Sequence, residues 1–209
     1  MDQKNNIYYG YVRSDVLRYV PHTANSILSI GCGFGRTEKV LIEQGKKITG
    51  IEPSEEAAPI AESNGLRVIR KTAQEGLDEL ANETFDCVML SDVLEHLTEP
   101  QQILLKCSEL LPSGAKIIIS VPNFRHYSVF FHLFIKGTVP NRTAGIFDNT
   151  HLQITTMKRV KSWIKNVGAT TEKTEYKFSG RLEKWLSKIT LGVLDEFLAP
   201  QVLLCAKKN

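Results

Sequence analysis

Residues 30–52, IGCGFGRTEKVLIEQGKKITGIE, constrain the chain more than any other stretch, because strand, glycine-rich turn, helix, second strand and terminal carboxylate follow in one run. Ser26–Ile30 (SILSI) is a short apolar run suited to a buried parallel strand. Gly31, Gly33 and Gly35 come next, and positions without Cβ atoms let a ligand approach the backbone closely. A helix starting near Arg36 aims its free N–H groups over the turn. A strand over Lys47–Ile51 then delivers Glu52 about 20 residues past the first glycine, the separation at which a carboxylate meets ribose hydroxyls. The pattern predicts half of a nucleotide site.

The glycine register separates the candidate nucleotides. A dinucleotide fingerprint, G-x-G-x-x-G, needs a third glycine that packs helix against strand beside a pyrophosphate. That position is Arg36 counted from Gly31 and Glu38 counted from Gly33, and an acid there pushes negative charge toward phosphates. The register present is G-x-G-x-G. Past Glu52 helical and strand signals keep alternating, as parallel α/β layering requires. Residues 54–63 open on a serine cap and predict a helix kinked or restarted at Pro59. Residues 67–70, 85–90 and 116–121 read as strands three to five, and 100–111 as an amphipathic helix. Residues 157–167 predict another helix ended by Gly168, 170–178 a more exposed strand, and 201–206 the strand that closes the sheet.

With G-x-G-x-G after the first strand and SDVLEHLTEP (residues 91–100) at the carboxyl end of the fourth, the chain resembles the class I S-adenosylmethionine-dependent methyltransferases. The DVLEHL string is similar to that of small-molecule members, including the ubiquinone-biosynthesis O-methyltransferases, and the resemblance covers nearly the whole chain. It implies a three-layer, Rossmann-like α/β fold whose seven-stranded sheet is mostly parallel, with an antiparallel last strand. It also implies a single domain over 1–209: entry helix in 1–25, cofactor-binding core in 26–121, acceptor-side insertion in 122–156, and a helix and strand pair in 157–209. The implied cofactor is S-adenosyl-L-methionine, held by Gly31, Gly33, Gly35, Glu52 and Pro53, with Ser91, Asp92 and His96 toward its methionine end. From the residues alone, Asp92 as a helix cap and His96 packed beneath it remain open.

The family often carries G-D-A-E after strand three, where this chain reads K-T-A-Q, so Ala73, Gln74 or a backbone carbonyl is left for the adenine amino group, with a plain surface turn as the alternative. The YYGYVRSDVL segment resembles the family's entry helix, which sets Tyr8, Tyr9 and Arg13 over the cofactor and makes Arg13 available to the methionine carboxylate; a solvated amphipathic helix is the alternative.

Methyl transfer from a sulfonium is dominated by positioning, which can replace about 7 to 11 kcal/mol of barrier, whereas a base contributes about 10²- to 10⁴-fold when the acceptor must lose a proton. His22 precedes strand one, at the wrong end of the sheet. His151, in FDNTHLQITT, is the preferred base or acceptor-binding group and His126, in VPNFRHYS, the second choice, because these segments resemble a pattern in sugar and polysaccharide methyltransferases. Residues 124–135 (FRHYSVFFHLFI) hold more apolar side chains than one helical face buries, which suits insertion packing, a lid, a homodimer contact or an interfacial helix flanked by Arg125 and Lys136.

Composition narrows the partners. At 42% hydrophobic and 23% charged, with net charge +3 and no basic run, the chain reads as an ordinary globule acting on a small molecule, not on nucleic acid. Its four cysteines form no C-x-x-C pair, so buried thiols are expected and a metal site is not. No signal-peptide pattern or spanning run is read, giving a cytoplasmic expectation with peripheral membrane contact left open. The expected activity is methyl transfer to an oxygen or nitrogen of a sugar or sugar nucleotide. A quinone or other lipid acceptor, a cofactor-binding regulator or partner subunit without turnover, and an oxidoreductase are the alternatives.

Overall fold

The apolar runs pair into one seven-stranded sheet of order β3-β2-β1-β4-β5-β7-β6. Its strands are β1 (Ser26–Ile30), β2 (Lys47–Ile51), β3 (Arg67–Ile69), β4 (Cys87–Ser91), β5 (Lys116–Pro122), β6 (Ala169–Lys177) and β7 (Gln201–Lys208). The computed structural model describes residues 11–209, so Tyr8 and Tyr9 lie outside the described residues. Pairs are parallel except the two made by β7, which alone runs backwards between β5 and β6. The expected antiparallel last strand is therefore present beside the fifth.

Helices cover both faces: α1 (Ser14–Leu17), α2 (Arg36–Glu43), α3 (Ala57–Ser63), α4 (Ala73–Glu79), α5 (Pro100–Glu109), α6 (Tyr127–Phe130), α7 (Met157–Asn166), α8 (Arg181–Ile189) and α9 (Asp195–Leu198). Strand alternation divides the core. Leu28, Ile30, Val88, Leu90, Ile117 and Ile119 cluster with Leu77, Leu104 and Ile164 of α4, α5 and α7. Ile27, Cys87, Met89 and Ile118 cluster with Val16, Leu41 and Ala61 of α1, α2 and α3. The four cysteines are free and buried, as read from their spacing.

Three local expectations change. The helix after β2 begins at Ala57 rather than Ser54, whose hydroxyl instead accepts from the Ala57 N–H at 3.2 Å. Pro59 is its third residue, where no intrahelical N–H bond is needed, so no kink follows. Thr72, in the segment read as facing the adenine with a surface turn as the alternative, caps α4 in a capping box with Glu75. The aromatic stretch starts as α6 and widens into a π turn over Phe131–Ile135, leaving Phe134 73% and Ile135 64% exposed, so packing within the insertion does not account for it.

Glu38, on α2, turns into the core, where it is 6% exposed and accepts from the Ser29 hydroxyl at 2.7 Å. Burial holds its carboxyl above the ordinary 4.5, so the folded state binds that proton more tightly and loses stability as pH rises past that value. Glu38→Gln keeps a partner for Ser29 without the buried charge. We expect it to melt higher than wild type at pH 7, at roughly 2–4 °C per kcal/mol recovered, with the two curves converging below about pH 4 in a scan of Tm against pH.

Candidate functional site

The carboxyl ends of β1, β2 and β4 place the glycine turn, Glu52 and Asp92 along one edge of the sheet. Gly31, Gly33 and Gly35 all take positive φ, at 66°, 53° and 67°. The Gly31 N–H donates to the Ile51 carbonyl at 2.8 Å and locks the turn to β2. Two of the three glycines are demanded by the protein itself: a Cβ on Gly31 would lie 2.5 Å from Val93 Cγ2, and one on Gly35 2.8 Å from Leu66 Cδ1 and 3.2 Å from the Ala61 backbone. Openness to a ligand is thus not why those two lack side chains.

Glu52 is 4% exposed and holds the turn directly. Its Oε2 accepts from the Gly33 N–H at 2.8 Å and its Oε1 from the Ser54 N–H at 3.0 Å, across the exposed Pro53. Each carboxylate oxygen has two lone pairs, so each keeps one for a further donor. That leaves a two-point acceptor matched to vicinal hydroxyls, and the residues present fit the ribose of the implied cofactor.

Asp92, just past β4, sits at φ 57°, a left-handed conformation aspartate tolerates better than most residues. Its carboxylate receives Arg13 and Gln201, with the Ser120 hydroxyl at 3.4 Å. The Arg13 guanidinium also donates to Asp15 at 3.0 and 3.1 Å and to Ser120 at 2.8 Å. Four of its five N–H groups are then committed among the described residues. Ser120 and Gln201 escaped the sequence reading, since Gln201 lies 109 residues from Asp92 and reaches it only because β7 runs antiparallel.

Beyond Ser91, the single 3₁₀ turn Leu94–His96 carries the second half of the motif. The Glu95 carbonyl accepts the N–H groups of Leu152 at 2.7 Å and Gln153 at 3.0 Å, pinning the insertion so that the His96 and His151 rings meet edge to face, 4.8 Å between centroids. His96 Nδ1 lies 3.1 Å from the Thr150 hydroxyl and 3.3 Å from its carbonyl, and His151 Nδ1 lies 3.4 Å from the Ile146 carbonyl. Burial, then the His96 ring, lowers the His151 pKa below its ordinary value, against the nearby Asp148 carboxylate, which favours the neutral ring. His151 borders a hollow of about 400 Å³ lined also by Phe147, Asp148, Asn149 and Gln153. Glu95 itself, which the sequence reading passed over inside the motif, is 1% exposed.

Three expected residues sit apart from the His96–His151 pair. His126 is 7% exposed and caps α6, with Nδ1 2.7 Å from the Ser128 hydroxyl, and its ring packs on Tyr127 rather than on the His96–His151 pair. The Gln74 amide N–H donates to Asp78 at 3.3 Å along the exposed side of α4, which leaves its amide oxygen as an acceptor, and the neighbouring Ala73 is buried at the helix start.

The family model described as methionine biosynthesis protein MetW matches residues 13–196. This chain belongs to the MetW family. The MetW-family chain is also 26% identical over 187 residues to a ubiquinone biosynthesis O-methyltransferase of Xylella fastidiosa, covering 86% of this chain and 74% of that one. It spans about half or less of the length of several other curated relatives of that name. Among solved structures, a SAM-dependent methyltransferase from Archaeoglobus fulgidus superposes with TM-score 0.71 at 20% identity, over 98% of this chain and 94% of that one. The magnesium protoporphyrin IX methyltransferase of Synechocystis, solved with bound SAH, superposes with TM-score 0.59 at 16% identity, covering 99% and 82%. These likenesses show the Rossmann-like methyltransferase fold in this MetW-family member. Among the described residues no helix is long and apolar enough to cross a membrane.

Proposed function

We propose that this MetW-family protein binds S-adenosyl-L-methionine and transfers its methyl group to an oxygen or nitrogen of a small molecule. The observation that carries the reading is Glu52, whose buried carboxylate braces the Gly33 N–H while keeping two acceptor positions for a ribose diol. When bound, the cofactor supplies an activated methyl group. The chain's own part is positional: Glu52 and the glycine turn seat the nucleoside, the Arg13–Asp92 pair fixes the opposite end, and His151 faces the hollow where an acceptor would lie. A neutral His151 imidazole can accept the acceptor's proton.

Within this reading Asp148, Asn149 and Gln153 offer polar partners to a sugar or sugar-nucleotide acceptor, while Phe124, Val139, Ile146, Phe147, Leu152 and Ile154 make most of the same wall apolar. The exposed Phe130, Phe134 and Ile135, together with the ubiquinone relatives, favour a quinone or other lipid.

Calorimetric titration of the purified protein with SAH, S-adenosylmethionine and NADH tests the donor site. The expected result is one-to-one binding of the first two and none of NADH. Binding of NADH in preference to SAH would move the protein to the oxidoreductases.

A further inference from the structure

We infer that Arg142 and Lys136, together with the His132 ring, form a binding site for a phosphate group of the acceptor at the rim of the hollow that His151 borders. Residues 124–147 contain Arg125, Lys136 and Arg142 and no Asp or Glu. Arg125 is neutralised by Glu196 at 2.6 Å. Lys136 and Arg142 enter no salt bridge among the described residues. Each instead lies over an aromatic ring, Lys136 Nζ 5.2 Å from the Phe131 centroid and the Arg142 guanidinium carbon 5.8 Å from that of Phe147. A ring face attracts a cation without cancelling its charge, so both keep that charge for an anion.

Local structure gathers these groups and ties them to the hollow. Lys136 closes the π turn, its N–H donating to the Phe131 carbonyl at 3.1 Å. The Arg142 N–H donates to the Phe147 carbonyl at 3.1 Å and the Arg142 carbonyl accepts from the Asn149 N–H at 2.9 Å, which fastens Arg142 to two residues of the hollow's wall. His132 meets both aromatic rings edge to face, with centroids 6.0 Å from Phe131 and 5.1 Å from Phe147. Partial burial, then the charges of Lys136 and Arg142, lower the His132 pKa below its ordinary value, so both cations act on one ring. His132 Nδ1 is itself buried and has no hydrogen-bond partner among the described residues. Asp148, the acid nearest in sequence, is occupied on its own side, its carboxylate accepting from the Thr150 N–H at 2.9 Å and the Thr150 hydroxyl at 2.6 Å. Two like charges gathered with no acid between them repel, and an incoming anion removes that cost.

This site deepens the methyl-transfer reading and, for its role, rests on it. A phosphate suits the pair better than a carboxylate, because it brings up to two negative charges and the planar guanidinium fork can bind two of its oxygens at once. An anchor on a group that does not react holds the rest of the acceptor in place, which is the contribution methyl transfer most needs. With the phosphate at the rim, the hydroxyl-bearing part enters the hollow toward His151. Of the two acceptor classes, the charge selects a phosphorylated sugar or sugar nucleotide over a quinone.

The experiment titrates the full chain with inorganic pyrophosphate, followed by phosphorus NMR, with SAH affinity measured by calorimetry on the same samples. Wild type is expected to bind pyrophosphate with a Kd on the order of 1 mM or below, weakening as salt is added. Arg142→Ala and Lys136→Ala, which alter exposed side chains, should each weaken it by about tenfold or more. Lys161→Ala, at an exposed cation of α7, should bind like wild type, and SAH affinity should be the same in all three variants. No pyrophosphate binding by wild type, wild-type affinity in Arg142→Ala, or a parallel loss of SAH affinity in that variant overturns the site. Sedimentation with phosphatidylglycerol vesicles that requires Arg142, in a protein that ignores pyrophosphate, overturns it too and gives the cations to a lipid headgroup. Loss of SAH binding by wild type with pyrophosphate binding intact removes the methyl-transfer reading instead and leaves the phosphate site to stand on its own.

Discussion

Glu52→Ala should bind SAH about 100-fold more weakly than wild type, a loss of about 2.7 kcal/mol. The size follows from two roles carried by one side chain. Its oxygens hold the Gly33 and Ser54 N–H groups and keep lone pairs for two ribose hydroxyls. Hydrogen bonds to a charged partner contribute about 1.5–3 kcal/mol each, and the substitution removes the charge, the two prospective ligand bonds and the brace under the turn together. Glu52→Asp, which retains the charge on a shorter arm, should fall between. Calorimetry decides, with melting curves to confirm that both variants are folded; an alanine variant with wild-type SAH affinity would remove the ribose role from Glu52.

Gly31→Ala is expected to destabilise the protein by about 2–5 kcal/mol before any ligand is considered. Holding an alanine at φ 66° costs roughly 1–2 kcal/mol, and forcing its Cβ against Val93 Cγ2, at 2.5 Å, adds about 1–3 kcal/mol. For a chain of this length that is a fall in Tm of about 4–20 °C. Val93→Ala in the same chain should return the steric part and leave the conformational part, so the double variant melts above Gly31→Ala. A Gly31→Ala protein that melts like wild type would show that the turn relaxes freely, and an absent rescue would put the cost elsewhere than Val93.

The strand and helix sequence around the site was legible because its signals are local. The β1 run, the glycine turn, α2 and the Glu52 position are set by neighbours within about two dozen residues, and the structure places them as read. What escaped lies at long range or hides behind a second meaning. Gly31 and Gly35 read as room for a ligand, yet Val93, Leu66 and Ala61 occupy the space their side chains would take. Glu38 read as an acid near the phosphate position and turned out to be a core residue bonded to Ser29. Thr72 and Glu75 carried a readable T-x-x-E cap that reinterprets K-T-A-Q as a helix start. The partners of Asp92 were beyond reach, since Ser120 and Gln201 join it only after the sheet is assembled. His96 and His151 were each singled out, but their meeting depends on Glu95 holding the 152–153 backbone, which no periodicity encodes.

The knot of Arg13, Asp92, Ser120 and Gln201 draws together four separate parts of the chain, and its longest single hydrogen bond, Gln201 to Asp92, crosses 109 residues of sequence. A ribosome making this protein therefore emits the glycine turn and its acid early and the last member of the knot near the end. Until β7 threads between β5 and β6, the nascent chain carries the glycine turn and Glu52 while Asp92 still lacks Gln201, and premature termination before Gln201 yields a product that cannot complete the knot.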